Sequence, residues 1–446
     1  MVTNKIVPLL TCLLLASTVA HAQWVTQPIG FQNRLATPYF IKAVNPTTVW
    51  TIGVAFNTPD TNQVARSTDG GVSWTTGIVT GVQVTNESVT CLTAVDSVTA
   101  WVGVEGGSNS RIMKTTDGGQ TWVRQTTPQQ FGSPESYPTV VHFFNANEGV
   151  CVGDPVTVGG PLEVYRTTDG GATWTAVTNT PPSLSTENGA ENVYAVAGDI
   201  IWVGTLRGRV FRSVDKGATW TVAATGLTER MQTLAFRDAQ NGLASSLDTR
   251  LDARVLERTT DGGLTWSRVA FTGFFPGFGL DNVPGTGNYV STGPDVGDGL
   301  TGSAFSRDNG QTWITLENTG NNLYVDFVSP TAGWTGIYNA TTAAGEGMRR
   351  FTSTVLGTRA TTPEQLGFSV YPNPSTDGHF TISPQAARKG VELRVTDAVG
   401  RDVMRRAWQG NAAAPFTLDL SSFQAGIYTL QIQSDTGVGQ QQLVLR

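Results

Sequence analysis

Arginine and carboxylate side chains that could bind a ligand lie between the apolar segments of the chain, where turn residues predict loops. Loops on a rigid scaffold are where binding residues concentrate. The candidate binding residues are Arg207, Arg209, Arg250, Arg254, Asp154 and Asp252. For Arg250 and Arg254 the more common interpretation of such a pattern is a solvated ion-pair network with Asp248 and Asp252 on one hairpin.

No residue is assigned a catalytic role. A sialidase needs three arginines around the substrate carboxylate, a tyrosine paired with a glutamate as nucleophile, and an aspartic acid; the sequence identifies no such Tyr–Glu pair. Other glycosidases need two carboxylates roughly 5–10 Å apart across a cleft, which loops of unknown shape do not define. A Ser/His/Asp triad would have to use His142, but the apolar run Val140–Phe144 places this histidine in the predicted core.

Metal and cofactor sites are not predicted. Beyond residue 22 only His142 and His379 offer imidazoles, too few for a structural zinc site. Asp295 and Asp298 lack the spacing and the terminal glutamate of an EF-hand loop, so we interpret them as turn residues. A nearby aromatic cluster is interpreted as the small core of one loop, with a sugar platform as the alternative. Its members are Phe271, Phe274, Phe275 and Phe278.

Charge and hydropathy exclude two classes of partner. The net charge is −6, and no run of lysine or arginine concentrates the positive field that nucleic acid requires. Apart from the N-terminus, no stretch approaches the roughly 20 apolar residues of a membrane-spanning helix. At the N-terminus, Lys5 precedes a short apolar run, and Ala20-His21-Ala22 fits a signal peptidase site. Residues 1–22 are therefore predicted to be a secretory signal peptide.

The cysteines supply no disulfide framework. Removal of the signal peptide leaves Cys91 and Cys151, which lie in apolar strand patterns of different repeats. We expect both to be small buried residues, although the sequence leaves a disulfide between them open.

Six copies of one octet organise residues 67–313. Each begins with Ser or Thr and has Asp at its third position, Gly at its fifth and Trp at its eighth. The aspartates are Asp69, Asp117, Asp169, Asp215, Asp261 and Asp308. The tryptophans are Trp74, Trp122, Trp174, Trp220, Trp266 and Trp313, spaced by 48, 52, 46, 46 and 47 residues. Units of this length are typical of the four-stranded blades of a β-propeller.

The chemistry of the octet predicts a tight hairpin turn. The aspartate accepts hydrogen bonds from backbone N–H groups of its own turn, and the glycine supplies a positive φ. The tryptophan then packs between neighbouring strands, so we assign the six aspartates and tryptophans a structural role. The octet closely resembles the Asp-box, the repeat of bacterial neuraminidases. This resemblance implies a position between the third and the outermost strand of each blade.

A second pattern, an apolar strand ending near a glycine or serine, precedes each octet and occurs once more at Gly333–Gly336. Seven such strands against six octets indicate seven blades, the last of which lacks its outer strand. Residues 23–28 resemble the segment that follows an octet, so we predict that they supply this strand and close the ring, which removes free sheet edges. The predicted fold class is all-β: a seven-bladed β-propeller over residues 23–356, followed by a small Ig-like β-sandwich.

Two family resemblances follow from these repeats. The single ring resembles the photosystem II assembly and stability factor family, which implies the fold and a partner-binding mode. Sialidase-superfamily propellers share the Asp-box but typically use six blades.

The C-terminal part has a different pattern. After a predicted linker at 357–365, residues 366–446 alternate apolar strands with turn dipeptides, as in a small sandwich. Pro372-Asn-Pro374, Asp397-Ala-Val-Gly400 and Gly426-Ile-Tyr428 resemble the type A C-terminal sorting domain of the type IX secretion system. The resemblance implies export across the outer membrane. One departure is Gln442, where the family often carries lysine.

Two classes of function remain open. The first is a secreted or cell-surface, non-catalytic propeller that binds a protein or a glycan; the second is an exo-sialidase-like or other glycoside hydrolase. We favour the first because no catalytic set is assigned. The expected partners are the type IX secretion machinery and an unknown protein or glycan ligand. The chain is expected to be monomeric and to pass through the periplasm on its way to the cell surface or the medium.

Overall fold

The computed structural model describes residues 23–55, 62–248, 253–338, 347–353, 356, 367–389, 391–397, 402–407, 411–412, 414–434 and 437–446. The chain divides into two compact units after Gly357. Among the described residues the one helical segment is a short 3-10 turn at Gly107–Asn109, and no helix there is long and apolar enough to cross a membrane. The predicted signal peptide and linker lie outside these ranges.

The first unit consists of seven sheets arranged as the blades of a propeller, which confirms the predicted fold. Blade 1 is β2 (Thr37–Ala43), β3 (Val49–Val54), β4 (Gln63–Ser67) and β5 (Thr75–Ile78). Blade 2 is β6 (Ser88–Ala94), β7 (Ala100–Glu105), β8 (Arg111–Thr115) and β9 (Val123–Arg124). Blade 3 is β10 (Pro138–Phe143), β11 (Gly149–Pro155), β12 (Leu162–Thr167) and β13 (Thr175–Ala176). Blade 4 is β14 (Gly189–Ala197), β15 (Ile200–Thr205), β16 (Arg209–Ser213) and β17 (Thr221–Ala224).

The remaining blades follow the same antiparallel order. Blade 5 is β18 (Met231–Phe236), β19 (Gly242–Asp248), β20 (Ala253–Thr259) and β21 (Ser267–Arg268). Blade 6 is β23 (Gly279–Asn282), β24 (Tyr289–Gly293), β25 (Gly302–Ser306) and β26 (Thr312–Glu317), with β22 (Thr272–Gly273) added in parallel at the outer edge. Blade 7 is β27 (Asn322–Ser329), β28 (Ala332–Ile337), β29 (Met348–Phe351) and the N-terminal strand β1 (Trp24–Gln27).

The first strand of each blade lies nearest the centre of the ring, and the second strands carry most of the core. These strands are apolar on both faces because each blade packs against a blade on either side. A glycine in the second strand permits the close approach: a Cβ at Gly103 would lie 2.6 Å from Cys91 Sγ and 3.1 Å from Pro138 Cβ of the next blade. Cys91 and Cys151 are buried and are not joined by a disulfide.

The octet forms the turn between the third and outermost strands. In blade 3, Asp169 Oδ1 accepts hydrogen bonds from the Thr173 backbone N–H (2.9 Å) and the Thr167 hydroxyl (2.8 Å), and Oδ2 accepts one from the Thr173 hydroxyl (2.6 Å). These bonds, first the one from the Thr173 hydroxyl, lower the pKa of Asp169 to about 2. Gly171 has a φ of 91°. The same bonding to the aspartate recurs in the other five octets.

Neighbouring blades are joined by a basic side chain and a tryptophan of the second strand, both of which lie outside the octet. The residue before the first octet position is basic in several blades, and in blades 1 and 2 it stacks on the second-strand tryptophan of its own blade. Lys114 Nζ lies 4.9 Å from the Trp101 ring and donates to Gly170 O in the octet of blade 3 (2.9 Å), which also accepts from Trp101 Nε1 (3.3 Å). Similar stacking occurs for Arg66 on Trp50 and Arg350 on Trp334.

The second unit contains two larger sheets. One is β30 (Phe368–Tyr371), β31 (His379–Pro384) and β36 (Phe416–Asp419); the other is β34 (Asp402–Ala407), β33 (Glu392–Thr396), β37 (Gly426–Ser434) and β38 (Gly437–Leu445). The described residues of this unit also include a small pair of strands, β32 (Arg388–Lys389) and β35 (Asn411–Ala412). Side chains of both larger sheets form one core, including Phe380, Leu393 and Leu443. Its Ig-like classification stays a prediction.

Candidate functional site

Two faces of the propeller are distinguished by their loops. The upper face carries the loops that enter each first strand and the loops between second and third strands; the lower face carries the octets. All six octet aspartates therefore lie on the lower face and are engaged in their own turns. In five octets the tryptophan donates its Nε1–H to the carbonyl of the octet's fifth residue.

Several upper-face arginines are engaged in ion pairs within the fold. Arg111, at the start of β8, forms two hydrogen bonds with Glu87 (2.9 and 2.7 Å), and both side chains are about 95% buried. Arg209, at the start of β16, binds Glu187 in the same way, with Nη2 to Oε2 at 2.6 Å. In both blades the glutamate belongs to the loop that enters the first strand. The pair therefore fixes that loop.

The candidate binding residues predicted from the sequence differ in the contacts that they make within the fold. Arg207 is exposed and donates to the Thr186 hydroxyl at 2.9 Å. Arg254 binds Asp298 of blade 6 (2.8 Å) and the Pro276 carbonyl (2.7 Å), so it joins two blades. Arg250 and Asp252 lie outside the described residues. Asp154 is buried beside the channel and is treated below.

A group of aromatic and carboxylate side chains surrounds the upper end of the central channel; we call it the channel mouth. The Tyr137 hydroxyl of blade 3 donates to Glu191 Oε1 of blade 4. Tyr39 and Tyr324 have ring centroids 5.0 Å apart and hydroxyls 3.3 Å apart, and Phe278 lies 5.3 Å from the Tyr324 ring. All five are partly exposed.

The sequence did not identify this mouth. Tyr137 and Glu191 are 54 residues apart and belong to different blades. Phe278 lies at the mouth beside Tyr324 and not in the phenylalanine core that the sequence predicts for this loop. Phe275, by contrast, is buried and packs against Phe271 and Trp313. A positional signal was available, because each mouth residue lies near the start of a first strand, where a propeller narrows to its axis.

Below the mouth, the channel widens into a cavity of 470 Å³ lined by six of the seven first strands. Lys42 Nζ lies 3.7 Å from Asp326 Oδ2, and this carboxylate raises the pKa of Lys42. Burial and the nearby charge of Asp326 raise the pKa of Asp281 well above its usual range. His142 also lines the cavity; burial and then Lys42 lower its pKa to about 3, so its ring is neutral at pH 7.

The two cavity aspartates have a structural role. Asp281 Oδ2 accepts the backbone N–H of Phe327 (2.6 Å), and Asp326 Oδ2 accepts that of Ala43 (2.8 Å). Each carboxylate therefore joins the first strand of its blade to that of the next, from blade 6 through blade 7 to blade 1. His142 is buried as predicted, but it borders this polar space rather than a wholly apolar core.

A second cavity, of 400 Å³, opens on the upper face between blades 3 and 4; we call it the blade 3–4 cleft. Asp154, at the end of β11, lines it and is 7% exposed. Its Oδ1 accepts the Gly189 backbone N–H at 2.8 Å. Burial, together with the charge of Glu191, raises the pKa of Asp154 to about 7.

The rim of the cleft is apolar and exposed. Val156 and Val158 on the loop after β11 are 38% and 85% exposed, and Leu184 on the facing loop is 49% exposed. The two loops are joined by the hydrogen bond from Ser183 N to Gly160 O (2.8 Å). Because this hydrogen bond joins the two loops, the folded chain itself forms the cleft between them.

Comparison with known proteins supports both halves of this architecture. The propeller with its repeated octets is similar to BNR-like β-propellers, and the C-terminal part is similar to the sorting domains of the type IX secretion system. Residues 369–446 match the family model of the secretion system C-terminal sorting domain, and residues 80–248 match that of the photosynthesis system II assembly factor YCF48. No curated protein matches the sequence.

Two solved structures have the same propeller fold. YCF48 from Cyanidioschyzon merolae is 20% identical, with a TM-score of 0.53 and coverage of 74% of this chain and 99% of that one. YCF48 bound to D1 peptide is 16% identical, with a TM-score of 0.51 and coverage of 74% and 97%. At these identities the likeness establishes the fold alone.

Proposed function

We propose that this chain is an exported, non-catalytic binding protein that holds a protein or glycan ligand against the upper face of its propeller. The observation that carries the proposal is the channel mouth. There, Tyr39, Tyr324 and Phe278 present partly exposed rings beside hydrogen-bonding groups, above a polar cavity of 470 Å³. Rigid aromatic surfaces with a few placed polar groups are typical of sites for polar ligands.

The ion pairs of the upper face support a binding role over a sialidase-like one. Recognition of a substrate carboxylate requires arginines that are free to converge on it. Arg111, Arg209 and Arg254 are instead committed to carboxylates of the fold. One structure with this fold was solved with a bound peptide, which supports a polypeptide as the ligand. The sorting domain engages the type IX machinery, and the propeller is its cargo.

One observation favours glycoside hydrolysis as a second candidate. Tyr137 donates to Glu191, which is the arrangement in which a carboxylate could remove the proton of a tyrosine nucleophile. Burial, and then Glu191, raise the pKa of Tyr137, so the hydroxyl is neutral in the resting protein.

The test uses the mature chain on glycan and peptide arrays, beside a panel of fluorogenic glycosides that includes a sialoside. We expect binding that falls at least tenfold in Tyr324→Ala and is unchanged in Val72→Ala, whose side chain is 82% exposed on the lower face. Turnover that Tyr137→Phe abolishes would replace the binding role by the hydrolase. Binding that Tyr324→Ala leaves intact would move the site away from the mouth.

A further inference from the structure

In the described part of the chain, no lysine or arginine forms an ion pair with the buried carboxylate of Asp154. Among the residues that the structure describes, its one hydrogen-bond partner is the Gly189 N–H, and Arg209 of blade 4 is already bound to Glu187. Glu187 in turn is satisfied by the Thr205 hydroxyl (2.7 Å) and the Leu184 N–H (2.9 Å). A buried carboxylate is costly unless it is paired, so a cation that reached Asp154 would be bound favourably.

A second buried polar group faces the same cleft without a partner. Ser183 is 8% exposed and lines the cleft, and its hydroxyl oxygen has no hydrogen-bond partner among the described residues. A hydroxyl oxygen accepts hydrogen bonds, as Asp154 does. The floor of the cleft therefore offers two acceptors that the fold leaves available, and an ammonium or guanidinium group is the ligand that supplies donors and charge together.

The rim specifies what surrounds that cation. Val156, Val158 and Leu184 are exposed around a 400 Å³ opening, so a flanking apolar side chain of the ligand would bury them. Glu135, exposed at the same edge, adds a negative charge. A segment of polypeptide in which a lysine or arginine is adjacent to an apolar residue would supply both the cation and the apolar contact.

We propose that the blade 3–4 cleft binds a lysine or arginine side chain of a partner polypeptide, with Asp154 as its counter-ion and the Val156, Val158 and Leu184 rim against an adjacent apolar residue. This inference deepens the proposed function by naming a class of ligand. It places the anchoring residue beside the channel mouth, where Glu191 and Tyr137 lie close to Asp154.

The groups that face Asp154 fix the direction of its pH dependence. Burial and then the charge of Glu191 on β14 raise the pKa of Asp154, Tyr137 is neutral, and Glu187 and Arg209 neutralise each other. A bound cation favours the ionised form of Asp154. Affinity for a cationic peptide is therefore expected to rise as the pH increases from 6 to 8, and to level off above that range.

The experiment measures binding of the mature full chain to acetylated, amidated hexapeptides Leu-Val-X-Leu-Ser-Gly by fluorescence polarisation. X is lysine, arginine, glutamine or glutamate. We expect the lysine and arginine peptides to bind at least tenfold more tightly than the glutamine peptide, and the glutamate peptide to bind least. Asp154→Asn, which keeps an acceptor for Gly189 N–H, should remove the preference for lysine over glutamine. Leu184→Ser should weaken all four peptides alike.

Controls separate this inference from the broader one. Asp295→Asn, an exposed upper-face aspartate on blade 6, should leave every affinity unchanged. Equal binding of the lysine and glutamine peptides, no binding of any hexapeptide, or a lysine preference retained in Asp154→Asn would each overturn the assignment. If such a result came with binding on the arrays that depends on Tyr324, the proposed function would stand while the cleft assignment failed.

Discussion

Trp24 lies opposite Phe351 in the antiparallel pair of β1 and β29, with ring centroids 5.2 Å apart. The two residues come from opposite ends of the propeller sequence. Trp24 is 2% exposed, and its Nε1–H donates to the Ser303 hydroxyl of blade 6 at 2.9 Å. The N-terminal strand therefore closes the ring by filling the outer position of blade 7 and by contacting the blade before it.

We expect Trp24→Ala to lower the free energy of unfolding of the propeller by about 3–5 kcal/mol, the usual cost of truncating a buried tryptophan. Urea unfolding followed by tryptophan fluorescence and circular dichroism measures this change. Val25→Ala is the matched control, because Val25 follows Trp24 in the same strand but is 46% exposed. Removal of residues 23–35 should have a larger effect. A chain beginning at Ala36 that melts at the wild-type temperature would contradict the ring closure.

The blade count and the closure could be predicted because they depend on local chemistry repeated along the chain. The turn needs Asp to accept N–H groups, Gly for a positive φ and Trp to pack beside it, and these types recur at fixed positions. Counting seven second strands against six octets then required an outer strand from elsewhere. The segment around Trp24 supplied it, as the pairing with Phe351 confirms.

The binding face was harder to predict because its side chains pair across long separations. Sequence alone does not show that Arg209 is held by Glu187 or that Arg254 reaches Asp298 in the next blade. One type of ion pair nevertheless recurs at a similar sequence spacing in two blades. Glu87 and Arg111 are 24 residues apart, and Glu187 and Arg209 are 22 apart, at equivalent places in two blades. Asp154 was named as a candidate, but its burial without a cation depends on the packed loops.

The pair of Arg111 and Glu87 is expected to stabilise the fold rather than bind a ligand. Glu87→Gln leaves a buried guanidinium without its counter-ion, which costs about 3–5 kcal/mol. The double variant Glu87→Gln/Arg111→Met should recover part of that loss, since no unpaired charge remains. Chemical denaturation measures both.

Asp199→Asn is the control for an exposed ion pair. The side chain of Asp199 is 68% exposed and lies 3.5 Å from Lys216, so its replacement should cost no more than about 0.2–1 kcal/mol. If Glu87→Gln were as mild as this control while a ligand affinity fell, Arg111 would belong to a binding site.

The two thiols are expected to be inert in the folded protein. Burial raises the pKa of Cys91 to about 12 and that of Cys151 well above its usual value, and the thiolate is the reactive form. Ellman's reagent at pH 8 should therefore detect no thiol in the native mature chain and two in guanidinium chloride. Fewer than two under denaturing conditions would indicate a disulfide, and a reactive native thiol would mean that β6 or β11 is accessible.

The octet aspartates should make stability fall in acid. Hydrogen bonds from Thr173 lower the folded-state pKa of Asp169 to about 2, below the roughly 3.9 of an unfolded aspartate. A lowered folded-state pKa stabilises the fold fully above the unfolded value, and this contribution disappears as the pH falls towards 2. Asp169→Asn should therefore lower the Tm at pH 7 by several degrees, and the difference from wild type should shrink at pH 2. Glu135→Gln, an exposed carboxylate outside the octets, should show no such convergence. A constant Tm difference across this range would mean that the charge of Asp169 does not contribute to the turn.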